Sequence, residues 1–133
     1  MIAIALLLQV ASIEQFDMEP TAPTAAWLTG VWLHSADSSD LDRVACNSGT
    51  LFEYKADGRT AFFEGEGRWR LRNGTLTETI TSIDPESGEP ELAAEIGKAG
   101  RSRLIRLGPH EAVRIFLDGS RDRMLRCRPG DIQ

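Results

Sequence analysis

The sequence predicts an all-β protein, an antiparallel up-and-down meander of seven or eight strands closing into a small barrel. Three observations lead there. The stretch "GRWRLRNGTLTETI", residues 67 to 80, sets an Asn73-Gly74 pair between two alternating runs. That is the strongest short-range hairpin signal, because both loop residues must take positive φ. Asp57-Gly58 and Asp118-Gly119 mark further tight turns, and no helical period of any length and no internal repeat is present. A meander of this many strands removes its exposed edges most simply by closing on itself.

A chain of 133 residues, 41% of them hydrophobic, is enough for one domain with one core and too short for two. The net charge of -5 argues against a general nucleic-acid or anionic-membrane binder, which needs an excess of Lys and Arg. Basic residues outnumber acidic ones between Lys98 and Arg128, and the part before Lys98 is acidic; this is read as two solvated faces. Residues 1–12, "MIAIALLLQVAS", carry no charged side chain. They are too few to span a bilayer and fit a secretory signal peptide cleaved before Ile13. Residues 13–27 include the proline- and alanine-rich "DMEPTAPTAA" and read as a flexible lead-in, leaving 28–129 as the barrel domain. The expected location is therefore periplasmic or secreted. In an oxidising compartment Cys46 and Cys127 most simply form one disulfide, closing a loop of roughly eighty residues. No CxxC spacing or His/Cys cluster supports a reactive or metal-binding thiol pair instead.

The elements follow in order. "LTGVWLHS" (28 to 35) alternates Val31 and Leu33 with Trp32 and His34 and reads as the first strand. "DSSDLDRVACNSGT" is a loop or short helical turn leading to Cys46. In "TLFEYKADGRTAFFEG" a two-residue Asp57-Gly58 loop places Tyr54 opposite Ala61 and Phe52 opposite Phe63. In the next hairpin, Arg72 faces Thr75, Leu71 faces Leu76, Arg70 faces Thr77 and Trp69 faces Glu78. Trp69, Leu71, Leu76, Glu78 and Ile80 then share one face. A three-residue loop at Gly65 to Gly67 joins the two hairpins with Phe63 opposite Trp69 and Ala61 opposite Leu71. Beyond Asp84, "PESGEPE" is a long acidic loop and "LAAEIGKAG" a short helix or a poorly patterned strand. "RSRLIRLG", "EAVRIFLDG" and "DRMLRCRP" are three more strands. In the last hairpin a two-residue loop sets Val113 against Met124, and a three-residue loop sets it against Leu125.

A Gly30-x-Trp32 on the first strand, a "DGR" hairpin, a "GRWRLRNGTLT" hairpin and a last strand ending in "LRCRP" together resemble the lipocalin-like (calycin) small secreted domains of bacteria, across Leu28 to Pro129. The resemblance implies that Trp32 plugs one end of the barrel and that Arg126 or Arg128 packs over it. The chain lacks the helix that follows the last strand in true lipocalins, and its barrel is short, which argues against a large cavity. A weaker resemblance, on the Gly-x-Trp strand and one disulfide, is to small periplasmic inhibitors of secreted metalloproteases; it implies an inhibitory arm at Ile13 to Ala26. The cysteine spacing departs from that family's.

Glu78 is the notable titratable residue, set among Trp69, Leu76 and Ile80. Buried there, it would need an arginine, a hydroxyl such as Tyr54, or a polar ligand group; at a barrel rim it would sit in water, and the rim is the preferred reading. His34 and His110 have no nucleophile motif beside them and are read as surface or structural. Asp37, Asp40 and Asp42 lack the glycine and final glutamate of an EF-hand loop. Neither "GEGRWR" nor "KAGRSR" opens a helix after a strand as a phosphate loop does. No catalytic residue, metal site or cofactor is assigned. Phe52, Tyr54, Phe63 and Trp69 either line a ligand pocket or fill the barrel; a mainly filled interior with a partial pocket at one mouth is expected. The expectation is a non-enzymatic protein binding a small apolar or amphipathic ligand through Phe52, Tyr54, Phe63, Trp69, Leu71, Leu76, Glu78 and Ile80. The alternative is binding of an envelope or secreted protein, such as a protease, through the arm or the loops.

Overall fold

The computed structural model of the protein describes residues 22–35, 46, 50–86 and 88–128. The signal peptide expected at 1–12, most of the lead-in and inhibitory arm, and Asp37, Asp40 and Asp42 lie outside the described residues. The chain enters through a single helical turn, α1 (Ala25–Leu28), whose N-cap Thr24 accepts a hydrogen bond from Trp27 N at 3.2 Å. Eight strands follow: β1 (Gly30–Ser35), β2 (Thr50–Tyr54), β3 (Arg59–Phe62), β4 (Gly65–Arg72), β5 (Thr75–Ile83), β6 (Ala99–Gly108), β7 (Glu111–Phe116) and β8 (Arg121–Arg126). Each pairs antiparallel with its neighbour in sequence, and β1 pairs with β8 to close the barrel. A second helical turn, α2 (Pro90–Ala93), lies in the β5–β6 connection, with Pro90 early in the turn where its missing N–H costs nothing.

The hairpins show what turn chemistry does to register. In the β4–β5 hairpin Asn73 and Gly74 both take positive φ, 51° and 79°, and Trp69 faces Glu78, Leu71 faces Leu76 and Arg72 faces Thr75, as the sequence predicts. The two Asp-Gly hairpins differ from expectation in the same way. Lys55 N donates to Arg59 O at 2.8 Å, and Phe116 N to Ser120 O at 2.9 Å, so each loop has three residues, Ala56 to Gly58 and Leu117 to Gly119. Only the glycine is left-handed in each, with φ of 87° at Gly58 and 86° at Gly119. The aspartate instead accepts the N–H two residues on, Arg59 N at 3.1 Å and Ser120 N at 2.9 Å. A type I turn ending in a left-handed glycine results, and it shifts the pairing by one residue relative to a two-residue loop. Phe52 therefore faces Phe62 and Tyr54 faces Thr60, not Phe63 and Ala61. Val113 faces Arg123, which neither of the two predicted registers gives.

The β3–β4 turn is also corrected. Phe62 pairs with Gly65, making Phe63-Glu64 the loop, and Ala61 faces Glu66 instead of Leu71. Phe63 is thus a turn residue, 77% exposed, and does not meet Trp69 inside the barrel. Two register errors of odd length cancel, which is why Trp69 and Leu71 still face inward.

The interior divides along the barrel axis. At the closed end Leu28, Trp32, Tyr54, Trp69, Leu76, Leu104, Ala112 and Met124 form the apolar core, with Trp27 and Leu71 packed against it. Trp32 Nε1 donates to Leu28 O at 2.8 Å, and Trp27 Nε1 to Pro109 O at 2.9 Å, so the buried Trp32 and the half-buried Trp27 indoles are both satisfied while α1 is held across the barrel end. The Arg126 guanidinium lies 4.4 Å from the Trp32 ring centroid and donates to the carbonyls of Thr29 and Trp27. Gly30 makes room for it: a Cβ there would stand 2.8 Å from Arg126 Nη1, on a backbone at φ 136°. Arg128 lies beyond β8 and is exposed.

Cys46 and Cys127 are joined by a disulfide, with a Cα–Cα distance of 6.0 Å. It lies on the outside of the barrel, where Leu33, Val31 and Leu51 pack against it. It therefore fastens Cys46, which lies between β1 and β2 in the chain, to the residue that follows β8, across the closing seam. Replacing both cysteines with alanine is expected to lower unfolding stability by about 4 kcal/mol in the loop-entropy account, measured by urea denaturation. An unchanged midpoint would contradict that role.

Candidate functional site

Inward-facing positions on five strands carry polar groups that an ordinary barrel core would not contain. His34 on β1, Tyr54 on β2, Glu78 on β5, Arg114 on β7 and Asp122 on β8 meet around the Arg114 guanidinium. Its Nη1 donates to Glu78 Oε1 at 2.6 Å, its Nε to Asp122 Oδ1 at 2.9 Å, and its Nη2 to Asp122 Oδ2 and to His34 Nδ1, the last at 2.8 Å. The fork geometry of a guanidinium suits this bidentate grip on Asp122. Tyr54 Oη donates to Glu78 Oε2 at 2.9 Å. Glu78 is therefore not at a solvated rim. It projects inward and is held by both an arginine and a tyrosine, because the β4–β5 register puts it opposite Trp69 on the core face.

The donors and acceptors fix the histidine's state. A guanidinium has no acceptor, so His34 Nδ1 must be the lone-pair nitrogen and the ring's single proton sits on Nε2. Nε2 points to Tyr54 Oη at 3.4 Å, a long hydrogen bond. Burial first, and the Arg114 charge second, hold the imidazole pKa well below its ordinary value. Burial and the neighbouring Glu78 carboxylate push the Tyr54 phenol well above its ordinary value. Arg114 stays charged: its hydrogen bonds to Asp122 and the two carboxylate charges outweigh the burial that opposes them. The network thus contains one positive and two negative charges with two neutral rings.

Above this network, towards the end away from Trp32, a cavity of about 290 Å³ opens. Glu78 and Arg114 form its floor, and Phe52, Phe62, Ile80 and Phe116 its walls; Glu95 and Lys98, from the connection after α2, stand at its mouth. Gly100 also lines it. It pairs with Glu78 across the β5–β6 ladder, and its missing side chain leaves the space open. The walls are themselves stacked: the His34 and Phe52 rings lie 4.4 Å apart, Phe52 and Phe62 5.1 Å apart. Arg114 sits 5.1 Å from the Phe116 ring centroid.

Of the eight residues expected at a ligand site, Phe52, Glu78 and Ile80 line this cavity. Tyr54 supports it from beneath, through Glu78. Trp69, Leu71 and Leu76 belong to the core at the other end, where Trp69 Nε1 donates to Lys55 O at 3.0 Å. Phe63 is on the outer side of the turn, and Phe62 takes the inward place.

Sequence reasoning missed Arg114 and Asp122 and set His34 aside. Parity was the available signal: His34 is two residues from Trp32, and on a strand that spacing shares a face. Arg114 was hidden because its neighbours Val113 and Ile115 are apolar yet point outward. Among the described residues no group of three or more His, Cys, Asp or Glu side chains is placed to hold a metal. Neither family models nor curated proteins match the sequence.

The depressed imidazole pKa predicts a direction of pH dependence. The unfolded chain takes up a proton at His34 near pH 6.5 and the folded one only well below it, so His34 subtracts stability as pH falls through that interval. Thermal midpoints should drop between pH 7 and 5, and the His34→Gln variant should show a shallower drop. An equal slope in both would refute the assignment.

Proposed function

We propose that the protein is an exported, lipocalin-like binding protein, non-enzymatic, taking one small amphipathic molecule into the open end of its barrel. The observation that carries this reading is the cavity: apolar walls above a floor of hydrogen-bonding charged groups. At about 290 Å³ it stands close to the lower end, about 300 Å³, of small-molecule sites. A wholly apolar occupant would cut the floor off from water without replacing those hydrogen bonds, which costs free energy. A ligand with a polar head and an apolar body meets both requirements.

The lipocalin-like part of the reading is supported by the in-order antiparallel closure of eight strands and by the Trp32 end stopped under Arg126. Export is supported by the disulfide, a bond that persists in oxidising compartments. Three exposed apolar side chains, Phe63, Ile96 and Leu117, lie in connections at the open end, Leu117 being 93% exposed. They would give an amphipathic ligand an apolar approach.

Gly100→Leu tests the site. A Cβ at Gly100 has ordinary clearance, 3.7 Å to Glu78 O, so the larger side chain fits on the strand and fills the cavity. A neutral naphthylamine fluorophore should bind the native protein and lose at least tenfold in affinity to the variant, with no fall in thermal midpoint. Equal affinity for both proteins would move binding away from this cavity.

A further inference from the structure

The charge count of the cavity floor, Glu78 and Arg114, together with Asp122 beneath it, decides what kind of head group the cavity suits. Arg114 contributes one positive charge, and Glu78 and Asp122 two negative ones. The side chains of all three are mostly buried, with exposures of 10%, 21% and 14%. The two other members do not offset the excess. His34 is an acceptor towards Arg114 and so neutral, and Tyr54 keeps its proton to donate to Glu78. At the mouth, Glu95 and Lys98 cancel each other in formal charge. One negative charge is thus left over in a site walled by Phe52, Phe62, Ile80 and Phe116, where the weak screening makes an uncompensated charge expensive.

Hydrogen-bonding capacity points the same way. Arg114 has five N–H groups, and four are directed at Asp122, Glu78 and His34. Each Glu78 oxygen accepts one hydrogen bond, from Arg114 or from Tyr54, and keeps a second acceptor position. Glu78 is also the most exposed of the three charged groups and lines the cavity directly. The floor therefore has unused acceptors and an unbalanced negative charge.

We infer that the ligand is an amphipathic organic cation, its ammonium-type head seated on the Glu78 carboxylate at the cavity floor and its apolar body lying between Phe52, Phe62, Ile80 and Phe116. This rests on the binding reading above and adds the sign of the charge. The cation would complete a two-plus, two-minus cluster, and its N–H donors would meet the free acceptor positions on Glu78. A carboxylate of the same size would bring a third negative charge to the floor, with one unused Arg114 N–H to receive it.

The test is a titration calorimetry series on the native protein at pH 7 with three probes of equal chain length: n-hexylammonium, hexan-1-ol and hexanoate. An alkylammonium resembles a lysine side chain, whose pKa is about 10.4, and is charged at this pH. Hexylammonium should bind at least tenfold tighter than either of the others. Glu78→Gln should remove that advantage while changing hexanol affinity by less than about twofold. Hexanol or hexanoate binding as tightly as the amine would overturn the inference and leave the cavity as a binding site. No binding of any of the three by the folded protein would overturn the binding reading itself. The comparison on the native protein decides the matter even if the variant does not fold.

Discussion

A guanidinium inside a barrel must be paired, and the pairing of Arg114 constrains most of the molecule. Its partners come from β5, β8 and β1, and Tyr54 on β2 joins through Glu78. A one-residue slip of any of these strands would turn its member outward and leave a buried charge or donor without a partner. Breaking such a cluster by removing one member typically costs about 3 to 5 kcal/mol. The cluster therefore acts on register as well as on stability, and it does so in an eight-stranded ring whose first and last strands must find each other. The disulfide holds that same seam from outside.

The two ends of the barrel solve different problems with arginine. At the closed end Arg126 lies over Trp32 and Trp27 and spends its donors on the carbonyls of Thr29 and Trp27, so α1 is tied down and the opening is shut. Cation–π contacts of this kind contribute about 0.5 to 2 kcal/mol, more as they are desolvated. Arg106 adds a second guanidinium 4.9 Å from the Trp27 centroid. At the open end Arg114 stays beneath the cavity and leaves a carboxylate exposed to whatever enters. One end has been spent on closure, and the other keeps unused hydrogen-bonding capacity.

Much of the fold was legible because strand alternation and turn residues are local. The Asn73-Gly74 hairpin came out with the right pairing, since Asn tolerates the left-handed region and the two-residue turn has no competitor there. Asp57-Gly58 and Asp118-Gly119 look similar in sequence but form three-residue loops, because an aspartate can keep negative φ and accept a backbone N–H with its carboxylate. That choice rests on a side-chain to backbone hydrogen bond, and the letters Asp-Gly are compatible with either turn. The site was less legible for a different reason. Val113, Ile115 and Ile105 point outward here, against the usual equation of apolar with inward, so alternation on β6 and β7 did not single out Arg114. Glu78 was legible as a residue needing a partner; which partner depended on a strand more than thirty residues away.

The charge state of the cluster turns on the direction of one hydrogen bond, that from Arg114 to His34. Nitrogen-15 chemical shifts of the His34 ring, followed by NMR from pH 7.5 to 5, report the tautomer and the charge directly. The result expected is a neutral ring with its proton on Nε2 that does not titrate around pH 6.5, because Arg114 occupies Nδ1 and burial opposes charging. A proton on Nδ1, or an imidazolium titrating near pH 6.5, would contradict the Arg114-centred cluster and the charge count of the cavity floor that follows from it.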